Sequence, residues 1–156
     1  MEFISEVKIE QIIQKYEETD NFEKDLNELK NENPLLLEFI SEERLELLKK
    51  EEQALLEFMT VVIYSATKSS INNIPKIKGL VLEEAEEKNY ELWENAGKKS
   101  QKTAFDVYFD GYAQEDLLAF VEDSLQQDDE NPVTTVGIEL IAVTTKSIID
   151  ALHVCN

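Results

Sequence analysis

The scarcity of turn-forming residues constrains the fold of this chain more than any other feature. Only 4 Gly and 3 Pro occur among 156 residues, well below their usual frequency. Sheet proteins need many turns, and turns depend on Gly and Pro. A hydrophobic content of 42% can form a substantial core, and the length fits one domain. We therefore expect an all-α protein in which residues 1–156 form a single compact bundle of about six helices.

Apolar residues recur at helical spacing along most of the chain. Asn33-Pro34 is a typical helix start, and Ser41 is a candidate cap for a long helix that ends near Lys68. Shorter elements are expected after residue 21, after Asn33-Pro34 and over residues 100–112. The longer predicted helices cover residues 3–18, 41–68, 78–96, 113–127 and 132–154.

The stretch VTTVGIELIAVTT, residues 133–145, carries conflicting signals. Its β-branched residues favour a strand, whereas Asn131-Pro132 favours a helix start. Helical spacing places one set of residues on a narrow stripe: Thr135, Glu139, Ala142, Lys146 and Asp150. We predict an apolar helix at the centre of the bundle with only this stripe facing water. Gly137 within the helix predicts close approach by a neighbouring helix or ring.

The net charge of −19 excludes several classes of partner. Nucleic-acid phosphates and anionic membranes are both bound through Lys and Arg, so we expect neither. The most apolar window, residues 54–66, is shorter than a membrane span, and the start MEFISEVKIEQ lacks the regions of a signal peptide. The single cysteine, Cys155, forms no internal disulfide. These features predict a cytoplasmic protein.

Residues 103–145 contain ten acids and no Lys or Arg, and EDLLAFVEDSLQQDDENP is their most acidic part. Helical spacing places the acids of two consecutive helices on outward faces. Together with the loop that follows, these faces predict one acidic surface for a basic macromolecular partner. The candidate contact residues are Asp106, Asp110, Glu115, Asp116, Glu122, Asp123, Asp128, Asp129 and Glu130.

The stretch FDVYFDGY, residues 105–112, places four rings on one helical face. These rings are Phe105, Tyr108, Phe109 and Tyr112. Such a face is typical of a bundle core. An alternative interpretation is a small-molecule binding protein or enzyme with a pocket lined by these rings. A third interpretation is a structural homodimer, which an exposed apolar stripe would indicate.

Catalytic and metal-binding groupings are sparse. One His and one Cys cannot complete a usual zinc site or the paired Glu-x-x-His motifs of a di-iron bundle. His153 follows Asp150 by three residues, but we expect it at a fraying helix end and not in a catalytic pair. Glu57 is the best candidate for a buried carboxylate. We predict no metal or cofactor and a non-enzymatic interaction or regulatory module.

Overall fold

A computed structural model of the protein describes residues 2–71, 73–96, 101–126 and 133–154. Every regular element in these ranges is an α-helix, so the all-α prediction is confirmed. Eight helices lie in these ranges, where about six were expected. They are α1 (Glu6–Glu18), α2 (Asn21–Glu32), α3 (Pro34–Phe39), α4 (Lys50–Ser70), α5 (Gly79–Asn95), α6 (Gln101–Phe109), α7 (Glu115–Ser124) and α8 (Thr135–Val154).

The count reaches eight because each of the three shorter predicted elements forms a helix of its own, and α2 and α3 are separated at Asn33. The backbone of Asn33 has φ −141° and ψ 67°, outside the helical region. Its Oδ1 accepts from the Ile77 amide at 2.7 Å, and its Nδ2 donates to the Tyr64 hydroxyl at 3.0 Å. Pro34 then starts α3, as the Asn-Pro pair predicted. The second Asn-Pro pair, at 131–132, lies outside the described residues.

The helix predicted to start at Ser41 begins later, at Lys50. Between these residues the chain forms turns, in which the Arg44 amide donates to the Ser41 carbonyl at 3.1 Å. The Arg44 guanidinium donates to the Phe39 carbonyl at 3.0 Å and pairs with Glu86 of α5. The prediction of a helix start at Ser41 was therefore wrong, and the pair between Arg44 and Glu86 is a distant contact that local periodicity does not reveal.

Helix α8 runs through the interior of the bundle. Every residue from Ile141 to Ile149 is buried, and the helix packs against α4, α5 and α7. Two of its buried hydroxyls are compatible with a helix because they bond to carbonyls one turn earlier, whereas the buried Thr144 hydroxyl has no such partner. Thr145 donates to the Ile141 carbonyl at 2.7 Å, and Ser147 donates to the Val143 carbonyl at 2.7 Å. The C-terminal helix is therefore the central apolar element.

The prediction that one stripe of α8 faces water is wrong for the residues at the centre of that stripe. Thr135 is exposed, but Ala142 is fully buried and Lys146 is only 5% exposed. Helix α5 covers this side of α8, where Asn89 of α5 bonds to Lys146. The polar spacing on α8 therefore marks an internal ion pair between Lys146 and Asp150.

The buried carboxylate of α4 belongs to Glu52 and not to Glu57, which is half-buried. Glu52 is 2% exposed. Its carboxylate accepts from the Lys49 amide at 2.8 Å, at the start of α4. It also accepts from the amide and hydroxyl of Thr134 at 2.7 and 2.8 Å, at the start of α8. Burial acts to raise the pKa of Glu52, but these hydrogen bonds outweigh it and hold the pKa below its usual value.

Gly137 allows the Glu52 carboxylate to approach α8. Thr134 caps this helix by accepting from the Gly137 amide at 2.9 Å. A Cβ added at Gly137 would lie 2.1 Å from Glu52 Oε2 and 3.0 Å from Thr134 Oγ1. The close approach predicted at Gly137 is confirmed, and the approaching group is a carboxylate of α4.

We expect Gly137→Ala to lower the free energy of unfolding by about 1–3 kcal/mol, because the methyl group would displace the Glu52 carboxylate from Thr134. In a Glu52→Ala background the same change should be neutral or stabilising by up to about 1 kcal/mol, since alanine favours helix over glycine. Urea unfolding of the wild type, both single variants and the double variant completes the cycle. Equal effects of Gly137→Ala in both backgrounds would contradict the steric explanation.

Candidate functional site

A groove runs along the junction of α1 and α7, which pack against each other. Helix α7 buries Leu117, Leu118 and Val121 in the core, so its opposite face stays at the surface. Helix α1 buries Ile9 and leaves its acidic residues exposed. The amphipathic pattern of the two helices therefore places polar and partly apolar surface side by side.

The groove encloses about 360 Å³ and combines an apolar floor with an acidic rim. Its floor is formed by Ile9, Ile13, Ala119 and Phe120. Its rim is formed by Glu6, Glu10, Asp116 and Asp123. No Lys or Arg of the described residues lines the groove or pairs with a rim carboxylate. Within the described part of the chain, the negative charge of the rim is thus not compensated by an ion pair.

Hydrogen bonds from the N-terminal segment fix one end of the groove. The Glu6 amide donates to Asp116 Oδ2 at 2.9 Å. Gln114, just before α7, accepts from the Ile4 amide at 3.0 Å and donates to the Glu2 carbonyl at 2.8 Å. These bonds join the starts of α1 and α7. The spacing of the two groove walls is therefore set by the fold itself.

A second acidic group lies where α6 meets α7. Burial raises the pKa of Glu122, the charges of Asp123 and Asp106 raise it further, and Lys102 acts in the opposite direction. Carboxylates influence one another in this way only at short range. Asp123 belongs both to this group and to the groove rim. We call the rim together with Asp106 and Glu122 the acidic face.

Two other predicted acidic residues belong neither to the groove rim nor to this second group. Asp110 and Glu115 are exposed. Three predicted residues lie outside the described residues: Asp128, Asp129 and Glu130. Sequence reasoning missed Glu6 and Glu10, because it considered only the base-free stretch. Their spacing of four on α1 was a local signal, but the proximity of α1 to α7 is a property of the tertiary fold.

The four rings predicted on one helical face divide between the core and its edge. Phe105 and Tyr108 are buried, and both contact Trp93 of α5, with ring centroids 5.5 and 5.6 Å apart. Phe109 and Tyr112 are half-buried and pack against the core. Packing in the core therefore explains the positions of Phe105 and Tyr108. A ligand pocket lined by the four rings stays a prediction.

A homodimer also stays a prediction. Large hydrophobic side chains are exposed on several elements, including Val7 of α1, Leu80 of α5 and Val136 of α8. Leu47, in the turns before α4, is exposed as well. This distribution over the fold does not single out one apolar interface.

Lys146 lies in a polar cluster enclosed by α5, α8 and the end of α6. Its ammonium group donates to Asn89 Oδ1 at 2.9 Å and to Asp150 Oδ2 at 3.2 Å. It also lies 4.9 Å from the ring centroid of Tyr108 and 4.6 Å from that of Tyr112, within cation–π range. Burial lowers the pKa of Lys146, and the charge of Asp150 opposes this shift.

The neighbours of Lys146 bond to one another as well. The Tyr108 hydroxyl donates to the Asn89 carbonyl at 2.8 Å, and the Tyr112 hydroxyl donates to Asp150 Oδ1 at 2.5 Å. Asn89 Nδ2 donates to Asp150 Oδ2 at 3.0 Å. A lysine with a lowered pKa is also typical of covalent catalysis, but this amine is held on all sides by protein groups. We therefore interpret the cluster as a structural ion pair that joins three parts of the bundle.

His153 lies in the last turn of α8, as predicted, but there it is half-buried and close to polar groups of other elements. Its Nδ1 lies 3.3 Å from the amide nitrogen of Gln114, which is a donor. Its Nε2 lies 3.2 Å from Thr67 Oγ1, which donates its own hydrogen to the Ile63 carbonyl. Nδ1 must therefore accept and Nε2 must donate, so this network suits only the neutral imidazole. Burial lowers the pKa of His153 to about 4.

We expect Lys146→Ala to destabilise the fold by about 3 kcal/mol, because it leaves the carboxylate of Asp150 without its cation. The double variant Lys146→Met with Asp150→Asn should recover part of this loss, since methionine fills similar space and no unpaired charge remains. Chemical denaturation measures both effects. A loss below about 0.5 kcal/mol for Lys146→Ala, the size of an ordinary surface change, would contradict the structural role.

The pKa of His153, the only histidine, is directly measurable by NMR titration of its imidazole resonances. We expect a value of about 4 in the folded protein. Because an unfolded chain takes up this proton at about pH 6.5, the free energy of unfolding should fall as the pH decreases from about 6.5 to 4. Gln114→Glu should raise the pKa by placing a carboxylate beside Nδ1. Titration of the wild-type imidazole near pH 6.5 would instead indicate an exposed helix end.

No group of three or more His, Cys, Asp and Glu side chains in the described parts of the chain is placed to hold a metal ion. No helix there is long and apolar enough to cross a membrane. A scan against protein-family models and searches of the curated proteins and the solved structures found no match to this chain. Its function is therefore inferred from the geometry of its own residues.

Proposed function

We propose that this protein is a non-enzymatic cytoplasmic interaction or regulatory module that binds a basic protein through the acidic face. The observation that carries the proposal is the uncompensated charge of the groove rim. Some acids elsewhere have internal partners, as in the ion pairs Lys15–Asp25 and Lys68–Glu32, whereas the four rim carboxylates have no such ion pair among the described residues. A surface of one sign without internal counter-charges attracts an external partner of the opposite sign.

A protein suits this surface better than other cationic or polymeric ligands. The acidic rim encloses apolar side chains, and a polypeptide supplies cations and apolar groups together. Nucleic acids and anionic membranes are repelled by a net charge of −19. A metal ion needs convergent ligands, which the described residues do not provide.

Titration calorimetry with poly-lysine of about 20 residues tests whether the acidic face is a specific cation-binding surface. Combining Asp106→Asn, Glu122→Gln and Asp123→Asn should weaken binding by about tenfold, since an exposed ion pair contributes up to about 1 kcal/mol. Raising the salt concentration from about 50 to 300 mM should also weaken binding, because salt screens exposed charges.

The matched control combines Glu83→Gln, Glu84→Gln and Glu87→Gln on the exposed side of α5. It removes the same charge from a different surface, so poly-lysine affinity should stay within about twofold. Equal losses in both triple variants would indicate diffuse attraction by the net charge and would refute a specific acidic face.

A further inference from the structure

We infer that the groove between α1 and α7 binds one amphipathic helix of a basic protein, with the apolar stripe of that helix on the groove floor and its Lys and Arg side chains on the rim. This inference rests on the proposed function, because it specifies the class of ligand and the part of the acidic face that receives it. Helices commonly bind in grooves through side chains at positions i, i+3, i+4 and i+7.

The groove floor matches the apolar stripe of a single helix. Ile9 and Ile13 are four residues apart on α1, and Ala119 and Phe120 lie opposite them on α7. Ile13, Ala119 and Phe120 are only half-buried, so an occupant would remove further apolar surface from water. A volume of about 360 Å³ suits the apolar side chains of about two helical turns.

The rim provides charge on both sides of this floor. Glu6 and Glu10 are one turn apart on α1, and Asp116 and Asp123 are two turns apart on α7, a distance of about 10 Å along the helix axis. A partner helix with cations on both flanks of its apolar stripe would place Lys or Arg against each wall. The same charges would fix the position of the partner along the groove.

Charge argues against a second copy of this chain as the occupant. A symmetric contact through the groove would bring two identical acidic rims together. The described residues place no Lys or Arg along the groove to separate the rims, and opposed like charges are unfavourable. A neutral amphipathic helix would partly desolvate the rim carboxylates without pairing them. The occupant must therefore be basic as well as amphipathic.

Two synthetic peptides of about 18 residues, made only of Leu and Lys, test the inference. One has Leu at i, i+3, i+4 and i+7, and the other has the same composition without helical periodicity. Fluorescence anisotropy measures affinity, and circular dichroism measures helix content. The amphipathic peptide should bind about tenfold more tightly and should gain helix content on binding.

Two variants in the groove test whether the peptide binds there. Neither changes a residue of the Asp106, Glu122 and Asp123 triple variant. Ala119→Lys places a cation on the floor and should weaken binding of the amphipathic peptide by about tenfold or more. Glu10→Gln removes one rim charge and should weaken it by about threefold. Leu80→Lys adds the same charge to the exposed side of α5, which carries no residue of the acidic face, and should change affinity by less than about twofold.

Equal affinity for the two peptides, or unchanged affinity in both Ala119→Lys and Glu10→Gln, would overturn the helix-in-groove inference. If the Asp106, Glu122 and Asp123 triple variant still weakened binding of both peptides, the acidic face would stand without the groove. If that triple variant changed nothing, the proposed function itself would fail. Thermal unfolding of each variant checks that it is folded. If Ala119→Lys does not fold, Glu10→Gln still tests the groove.

Discussion

The arrangement of the bundle depends on one carboxylate, that of Glu52, which bonds to the N-termini of α4 and α8 at once. These helices form the interior, and α8 holds α5 through Lys146, Asp150 and Asn89. Helix α7 packs on α8, and α1 packs on both α4 and α7 beside the groove. A buried carboxylate without its hydrogen bonds is strongly unfavourable. The alignment of α4 with α8 is therefore specified at this point, and the outer helices follow.

Carboxylates in the interior have bonding partners, whereas many carboxylates at the surface have no basic residue to pair with. Inside, each carboxylate has partners: Glu52 bonds to two helix ends, and Asp25 and Asp150 pair with lysines. The chain has 15 basic residues for 34 acids, so many acids must stay unpaired. Residues 103–145 supply ten acids and no base, and α1 adds its own acids beside α7. The acidic face thus results from an uneven distribution of cations along the sequence.

Local spacing was sufficient to predict the helices and the burial of α8, because helical periodicity is a property of neighbouring residues. It was also sufficient to mark Gly137 as a contact, since glycine inside a helix is unfavourable unless something approaches. It did not identify Glu52 as the approaching group, and it predicted Lys146 to face water. Both facts depend on residues distant in sequence. Only one wall of the acidic groove was predicted. Composition located the α7 wall, but the position of α1 and Glu10 beside it depends on contacts between residues distant in sequence.

The bond between α4 and α8 has a consequence for synthesis on the ribosome. Helix α4 emerges well before Thr134 and α8, so its apolar residues, such as Val61 and Val62, lack their final neighbours during that interval. Contacts between distant segments form only after the intervening chain is complete. Because α1 and α2 precede α4 and pack against it, the side of α4 that meets α8 is the one that stays uncovered in the nascent chain, and such apolar surface is what chaperones bind. Its high negative charge keeps neighbouring nascent chains apart until α8 closes the core.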